Sequence, residues 1–323
     1  MPKVSVIVPV FGVECYISRC AVSLFEQTLE DIEYIFIDDC STDNSVKVLN
    51  ETLEKYPLRT GQVRIVRMQY NTGQAGVRKF GISIATGEYI AFCDSDDWIS
   101  LEMYQSMYEY ASQGDYDMVV CDFVTSGDGT ETIHKGAISS TDRLPFLRDM
   151  MAQKCSWSLW NKLIRRNLFH RAIEHFPVSN QGEDMAMVIQ LAYGCNKIGY
   201  LDSAYYFYYQ NPSSITKKVT IQSYKNRYIQ FQNNLTIVST FLASKEEFKQ
   251  LRSELTALHF FGNSKLWPLI KENRSYYTLW NRTATGMLWK VIVSRKIRMG
   301  NKIKYLLTCL RLFPKQKVFT NAI

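Results

Sequence analysis

What this 323-residue chain lacks narrows its class. Histidine occurs only four times. His170 and His175, parted by Glu174, do not have a helical metal spacing and read as surface or packing residues. The eight cysteines, at 15, 20, 40, 93, 121, 155, 195 and 309, include no Cys-x-x-Cys pair. That scatter excludes a zinc ribbon and a disulfide framework, and predicts reduced thiols in a cytoplasmic protein. No segment holds ~18 uninterrupted apolar residues, so no membrane-spanning helix is expected. Met1–Pro2–Lys3 leads straight into a strand-like run too short for a signal peptide.

Acidic residues are absent from the C-terminal end, where Glu272 is the last. Residues 273–323 carry 11 Lys and Arg and no acid, a charge of +11, while the first 272 residues hold 27 bases against 31 acids. An all-basic segment predicts an anionic partner such as a lipid surface. In it, Ile303, Leu306, Leu307 and Leu310 oppose Lys302, Lys304 and Arg311, the pattern of a helix lying on anionic lipid. A packed helix with a solvated basic face is the plainer alternative.

What the chain has is enough apolar content, 46%, for one large core or two modest domains. Val4–Val10 is apolar at nearly every position, as a strand buried on both faces of a parallel sheet should be. A helix follows, with Ile17, Cys20, Ala21 and Leu24 at i, i+3, i+4 and i+7. Tyr34–Ile37 is a second strand and precedes a helix that Ser41 or Thr42 can cap, with Val46, Leu49 and Leu53 inward. Val63–Val66, a helix from Gln74 to about Thr86, and Glu88–Phe92 complete a strand and helix alternation. The alternation predicts an α/β domain with a mainly parallel sheet, followed by a helical, basic C-terminal region.

Ligands of such sheets lie outside the carboxyl ends of the strands. Three features fall there: Pro9–Val10–Phe11, Asp38–Asp39 and Asp94–Ser95–Asp96–Asp97. Asp94, Asp96 and Asp97 repel one another at neutral pH unless something positive intervenes. Mg²⁺ or Mn²⁺, shared with a substrate diphosphate, suits them. The plainer alternative is an acidic turn capping a helix. An aromatic plate, an acceptor and a metal site together would hold a base, a ribose and a diphosphate.

The combination of Val4–Phe11, Gln27–Thr28, Asp38–Asp43, Asn71–Thr72–Gly73, Gly81–Ile82, Ala85–Ile90 and Asp94–Trp98 closely resembles the bacterial family 2 glycosyltransferases of the GT-A fold. A weaker likeness runs through Trp160–Leu163, Gly182–Glu183–Asp184, Tyr205–Tyr209 and Ser213–Thr216. The resemblance implies inverting transfer of a sugar from a nucleotide diphosphate sugar, in particular a UDP-sugar. The acceptor would be a glycan or lipid-linked oligosaccharide in cell-surface polysaccharide synthesis.

It implies residue roles as well. The donor nucleotide would be bound by Pro9, Phe11, Asp39, Arg78, Asp94 and Ser95. Phe11 stands where the family usually stacks a Tyr on uracil, and Asp39 matches the acid that reads the base edge. Asp94 and Asp96 match the metal-binding Asp-x-Asp pair. Val77–Arg78–Lys79 departs from the family's Ala-Arg-Asn, so Lys79 is the substitute phosphate partner. Asp184, the second acid of the Glu-Asp pair, is the expected catalytic base, and Trp157, Trp160 and Glu183 are the acceptor-site candidates. The helix start also favours two acids at 183 and 184 without any chemistry.

The expected division is a nucleotide-sugar-binding half over 1–125, an acceptor and catalytic half over 126–216, and the basic helical region over 217–323. The expected location is cytoplasmic, peripheral on the inner face of the membrane. Two other classes compete. A metal-dependent nucleotidyltransferase would want a glycine-rich basic loop where Pro9–Val13 has one glycine and no Lys or Arg. A non-enzymatic lipid-binding module leaves the acids unexplained, and no motif points to specific nucleic-acid binding.

Overall fold

The structure, a computed structural model, describes residues 1–127, 129–136, 138, 140–211 and 220–313. Ser213–Thr216 and the basic residues beyond 313 lie outside the described residues. The chain divides into two units: Met1–Leu147, Cys155–Phe176 and Met187–Pro212 form the first, and Arg148–Lys154, Pro177–Ala186 and Ser213–Ile323 the second.

The first unit is built on one nine-stranded sheet. Its strands are β1 (Val4–Val10), β2 (Ile32–Asp38), β3 (Val63–Arg67), β4 (Tyr89–Phe92), β5 (Trp98–Ile99), β6 (Met118–Gly127), β7 (Thr130–His134), β8 (Lys162–Arg165) and β9 (Ile198–Tyr209). The order is β3-β2-β1-β4-β8-β6-β9-β5, with β7 on β6. The first four strands run parallel, in keeping with the apolar runs of β1 and β4. All seven residues of β2 are buried. β8 enters antiparallel between β4 and β6, and β9 lies parallel to β6. The result is a mixed α/β fold with a mainly parallel sheet.

Helices α1 (Ile17–Phe25), α2 (Ser45–Leu53), α3 (Gly73–Ile84), α4 (Met103–Gly114), α5 (Arg143–Met151), α6 (Arg166–Ala172) and α7 (Glu183–Gly194) alternate with the strands. The predicted stripe of α1 is buried at all four positions. In α2 the buried residues are Ser45, Leu49 and Thr52; its N-cap position is Asn44, and Asp43 Oδ1, just before it, accepts from Ser45 N at 3.2 Å. Ser41 and Thr42 do not cap it. Ser41 Oγ instead accepts from Gly12 N, tying the loop after β1 to the loop after β2.

The second unit is helical, comprising α8 (Ile221–Ala243), α9 (Phe248–Ser264), α10 (Trp267–Glu272), α11 (Tyr277–Thr283), α12 (Leu288–Val293) and α13 (Met299–Cys309). Its core gathers Tyr228, Leu266, Trp267, Trp280 and Tyr305. On α13 the inward residues are Tyr305 and Thr308. Of the apolar face read as lying on lipid or, alternatively, packing, Ile303 is 52% and Leu310 57% exposed, so these two residues stay outside the core. No helix among the described residues is long and apolar enough to cross a membrane.

Candidate functional site

Three loops leave the carboxyl ends of parallel strands in the first unit, and they carry most of the predicted donor-side residues: Phe11, Asp39, Asp94, Ser95 and Asp96. After β1, the Phe11 ring is 47% exposed, and Gly12 takes a left-handed φ of 65°. Val13 N donates to Ser45 Oγ at 2.8 Å and Glu14 N to Asp43 Oδ2 at 3.0 Å, so the first two loops are tied together.

After β2, the two acids part. Asp38 is buried, paired with Arg67 at 2.7 Å and accepting from Ser41 N at 2.8 Å. Asp39 staples the turn that opens α3. Its carboxylate accepts from Thr72 N (2.7 Å), Thr72 Oγ1 (3.1 Å) and Gly73 N (2.8 Å), and its carbonyl from Asn71 Nδ2 (3.0 Å). Gly73 has φ of 71°, a conformation that favours glycine. Sequence spacing alone offers no hint that the acid expected to read a base also fixes this turn.

The turn aims α3 at the third loop. Gln74 and Arg78, one helical turn apart, both reach Asp94 Oδ1, at 3.2 and 3.0 Å. Arg78 is wholly buried while Asp94 keeps 23% of its side chain exposed. The positive partner demanded by the acid cluster is therefore supplied on one side by the protein itself. Lys79, the expected phosphate partner, lies over the Phe176 ring at 5.5 Å.

The three acids of the third loop have three different environments. Asp94 N donates to the Tyr206 hydroxyl (3.0 Å), which donates in turn to Asp97 Oδ2 (2.6 Å). Asp97 Oδ1 accepts from Tyr209 N at 2.7 Å. Burial, with Asp94 and Asp96 close by, holds the Asp97 carboxyl well above the usual carboxylate range, against the pull of those two donors. Asp97 is thus an internal anchor of the loop. Asp96 accepts at Oδ2 from Asn211 Nδ2 (3.0 Å), and its carbonyl accepts from Arg19 Nη2 (2.9 Å). The Arg19 guanidinium lies 3.8 Å from the Trp98 ring and 4.7 Å from that of Tyr209. Ser95, between the two, is buried.

Arg19, Gln74, Tyr206, Tyr209 and Asn211 escape a reading of the sequence alone. The signals for them are the i, i+4 spacing of Gln74 and Arg78 and the alternation of Tyr205–Tyr209. Trp160, an acceptor candidate, is only 7% exposed. It stacks on Tyr206 (centroids 4.3 Å apart) and Tyr208 (5.8 Å) and meets Phe123 edge-on at 4.8 Å. It buttresses the tyrosine that holds the acid loop and offers little surface to an acceptor, whereas Trp157 is only half-buried. Lys162, in the same motif, is buried with three acceptors, Ser156 O, Ser158 O and Asn161 Oδ1, within 2.6–2.9 Å.

Glu183 and Asp184 open α7, where the helix dipole favours carboxylates. They belong to the second unit. Glu183 is buried and Asp184 half-buried. The turn before them is held from α8: Gln181 N donates to Gln230 Oε1 (3.1 Å), and Asn234 Nδ2 to Ser179 O (2.7 Å) and Gln181 O (3.0 Å). Gly182 takes φ of 82°, and a Cβ there would come within 2.9 Å of the Phe231 ring. Both His170 and His175 are exposed.

Asp94 and Asp96 suit a hard, oxygen-seeking cation. Mg²⁺ and Mn²⁺ commonly take one or two carboxylates and leave other positions for water and phosphate. Among the described residues, no group of three or more His, Cys, Asp and Glu side chains gathers into a protein-only cage.

The mixed α/β sheet with its flanking helices has the GT-A fold. The chain belongs to glycosyl transferase family 2, whose model matches residues 5–174. It is 33% identical over 224 residues to the uncharacterized glycosyltransferase EpsJ of Bacillus subtilis, covering 67% of this chain and 64% of that one. It is 29% identical over 264 residues to the putative glycosyltransferase EpsH of the same organism, covering 79% and 73%. The chain thus spans slightly less than two thirds of EpsJ. The fold matches the crystal structure of residues 1–349 of S. aureus TarS in complex with UDP. The TM-score is 0.73 at 20% identity, over 96% of this chain and 88% of that one.

Proposed function

We propose that the chain is an inverting glycosyltransferase that moves a hexosyl or N-acetylhexosaminyl group from a UDP-sugar to a glycan or lipid-linked acceptor in cell-surface polysaccharide synthesis. The observation that carries this reading is the Asp94–Asp96 turn, with Asp94 fixed by Arg78 and Gln74 and Asp96 by Asn211. A turn held from α1 by Arg19, from α3 by Arg78 and from β9 by Tyr206 and Tyr209 is preorganised for a charged ligand. The exposed Phe11 ring is a surface on which a base can stack. Pro9 and Ser95 shape the same edge.

In this reading Asp94 and Asp96 hold Mg²⁺ or Mn²⁺, which when bound neutralises charge on the leaving diphosphate. The acceptor oxygen forms its bond to the anomeric carbon, the bond from that carbon to the diphosphate oxygen breaks, and UDP leaves. Asp184 takes the acceptor's proton. Residues 1–125 act as the donor half and 126–216 as the acceptor half, with Glu183 and Trp157 on the acceptor side. The second unit supports a peripheral location on an anionic membrane: Trp289 is 74% and Met299 68% exposed, among Lys290, Arg295, Lys296 and Arg298.

Calorimetry of UDP binding tests the donor site. Binding should require Mn²⁺ and be lost in EDTA, and Asp96→Ala should abolish the metal-dependent part. Equal affinity in EDTA, or an Asp96→Ala protein that binds like wild type, rejects the metal-diphosphate reading.

A further inference from the structure

Residues 177–182, which lead into α7, form neither helix nor strand, so their backbone groups must find partners elsewhere. One face of α8 supplies several. Gln230, Asn233 and Asn234, at i, i+3 and i+4, all reach the turn. Gln230 Oε1 accepts from Gln181 N at 3.1 Å and Asn233 Nδ2 donates to Ser179 Oγ at 3.2 Å. Asn234 Nδ2 donates to Ser179 O at 2.7 Å and to Gln181 O at 3.0 Å. We propose that Asn234 is a positioning residue for sugar transfer: it holds the turn that sets the Asp184 carboxylate where it takes the acceptor's proton, which makes α8 part of the catalytic apparatus. The proposal rests on the reading of Asp184 as the base.

Asn234 is wholly buried, and while its Nδ2 group is spent on the turn, its Oδ1 has no partner among the described residues. A buried acceptor without a partner costs stability, so the amide is explained by what its donors do. One planar NH₂ group bridging two carbonyls two residues apart fixes the curvature of the chain immediately before Glu183 and Asp184.

The clamp has a firm seat. Gly182 lies against the Phe231 ring so closely that a Cβ there would come within 2.9 Å of it. On its other side α8 is packed tightly on α9, where a Cβ at Gly262 would come within 3.0 Å of both Leu235 and Phe231, and Gln232 Nε2 donates to Asn263 Oδ1 at 3.2 Å. Contact is thus continuous from α9 through α8 to the turn, and the first turn of α7 starts from it, with Ala186 N donating to Gly182 O at 3.2 Å. A general base must lie within hydrogen-bond reach of the proton it takes, and a misplacement of about 1 Å can cost ~10²-fold.

The test follows UDP release with Mn²⁺ from UDP-glucose, UDP-galactose, UDP-N-acetylglucosamine and UDP-N-acetylgalactosamine. It compares wild type, Asn234→Leu, Asp184→Asn, the double variant, and Leu242→Ala, which opens a cavity at a buried position of α8 away from the turn. Asn234→Leu should lower kcat about tenfold to a hundredfold while the KM for the donor and the Mn²⁺-dependent affinity for UDP stay unchanged, and Leu242→Ala should keep wild-type kcat. Because Asn234 acts through Asp184, adding Asn234→Leu to Asp184→Asn should cause no further loss. If Asn234→Leu does not fold, Gln230→Met, which removes the acceptor of Gln181 N, takes its place in the same comparison with a smaller expected loss. An equal loss in both backgrounds, or a loss in Leu242→Ala as large as in Asn234→Leu, overturns the proposal. A fully active Asn234→Leu beside an inactive Asp184→Asn overturns the positioning role and leaves the base reading standing. A fully active Asp184→Asn, or a wild type that releases UDP from none of the four sugars, overturns that reading and the proposal with it.

Discussion

The two units concentrate opposite charge and manage it in opposite ways. In the sheet unit, carboxylates collect at strand ends and each receives named donors: Asp38 from Arg67, Asp39 from the Thr72–Gly73 backbone, Asp94 from Arg78, Asp97 from Tyr206 and Tyr209. In the helical unit, lysines collect over aromatic rings and crowd one another. An acid held by hydrogen bonds has a fixed direction and can serve a reaction geometry. A lysine resting on a ring keeps its charge and remains adaptable, which suits recognition more than chemistry. The proposed chemistry accordingly draws on the directed acids of the sheet unit.

The largest test of that division concerns the one carboxylate of the proposed chemistry that belongs to the helical unit. Asp184→Asn keeps the side chain's size and cannot take a proton. It should lower kcat about 10²- to 10⁴-fold while leaving UDP affinity unchanged. Glu183→Gln should do less harm. If Glu183→Gln is the inactive variant, the base is the first acid of the pair. If both remain active, the pair serves only the helix start, and the chemistry belongs wholly to the sheet unit.

Next in size is the cost of removing a cation from each unit. Arg78 is wholly buried, so Arg78→Met leaves Asp94 beside Asp96 and Asp97 without its guanidinium. The loss should be about 3 kcal/mol in urea denaturation, at the low end for a broken buried pair because Asp94 is partly exposed. Lys304→Met removes a charge crowded by other cations, and gives up only its attraction to Trp267. It should cost less than about 1 kcal/mol. Similar losses at both positions would erase the contrast.

The same contrast explains what the sequence discloses. The strands β1, β2 and β4 are legible because burial on both faces demands unbroken apolar runs, and the position of Asp94–Asp97 at a strand end follows from them. Which acid does what is not legible. Asp97 becomes an anchor only because Tyr206 and Tyr209, more than a hundred residues away, meet it. Trp160 presents the same difficulty: an amphipathic ring suits a sugar or a core equally, and the stack on Tyr206 decides for the core. The face of α13 allows two readings, on lipid or in the core, for a related reason. Its spacing is correct for a helix, yet Tyr305 fills the interior through bonds with Asn263 and the Ala284 carbonyl, leaving Ile303 outward.

A smaller effect than the loss of Arg78 is expected from pH, through a histidine of the helical unit. His259 on α9 accepts or shares a proton with Ser239 Oγ on α8 at 2.8 Å. Burial, aided by Lys290, pushes its imidazole down from 6.5 to about 4. Because the folded form resists protonation, the unfolded chain binds the extra proton between these values, and stability falls as pH falls. The contribution is fully present above pH 6.5 and is lost progressively towards pH 4. With the ring not fully buried, the loss should be about 2 kcal/mol. Carboxylates of the sheet unit titrate in part of the same range, so the quantity to measure is the difference between wild type and His259→Gln, which keeps a hydrogen-bonding group near Ser239 without titrating. Urea denaturation at pH 7, 5.5 and 4.5 should show wild type losing stability faster than the variant. Parallel slopes would mean that the ring is solvated in the folded state.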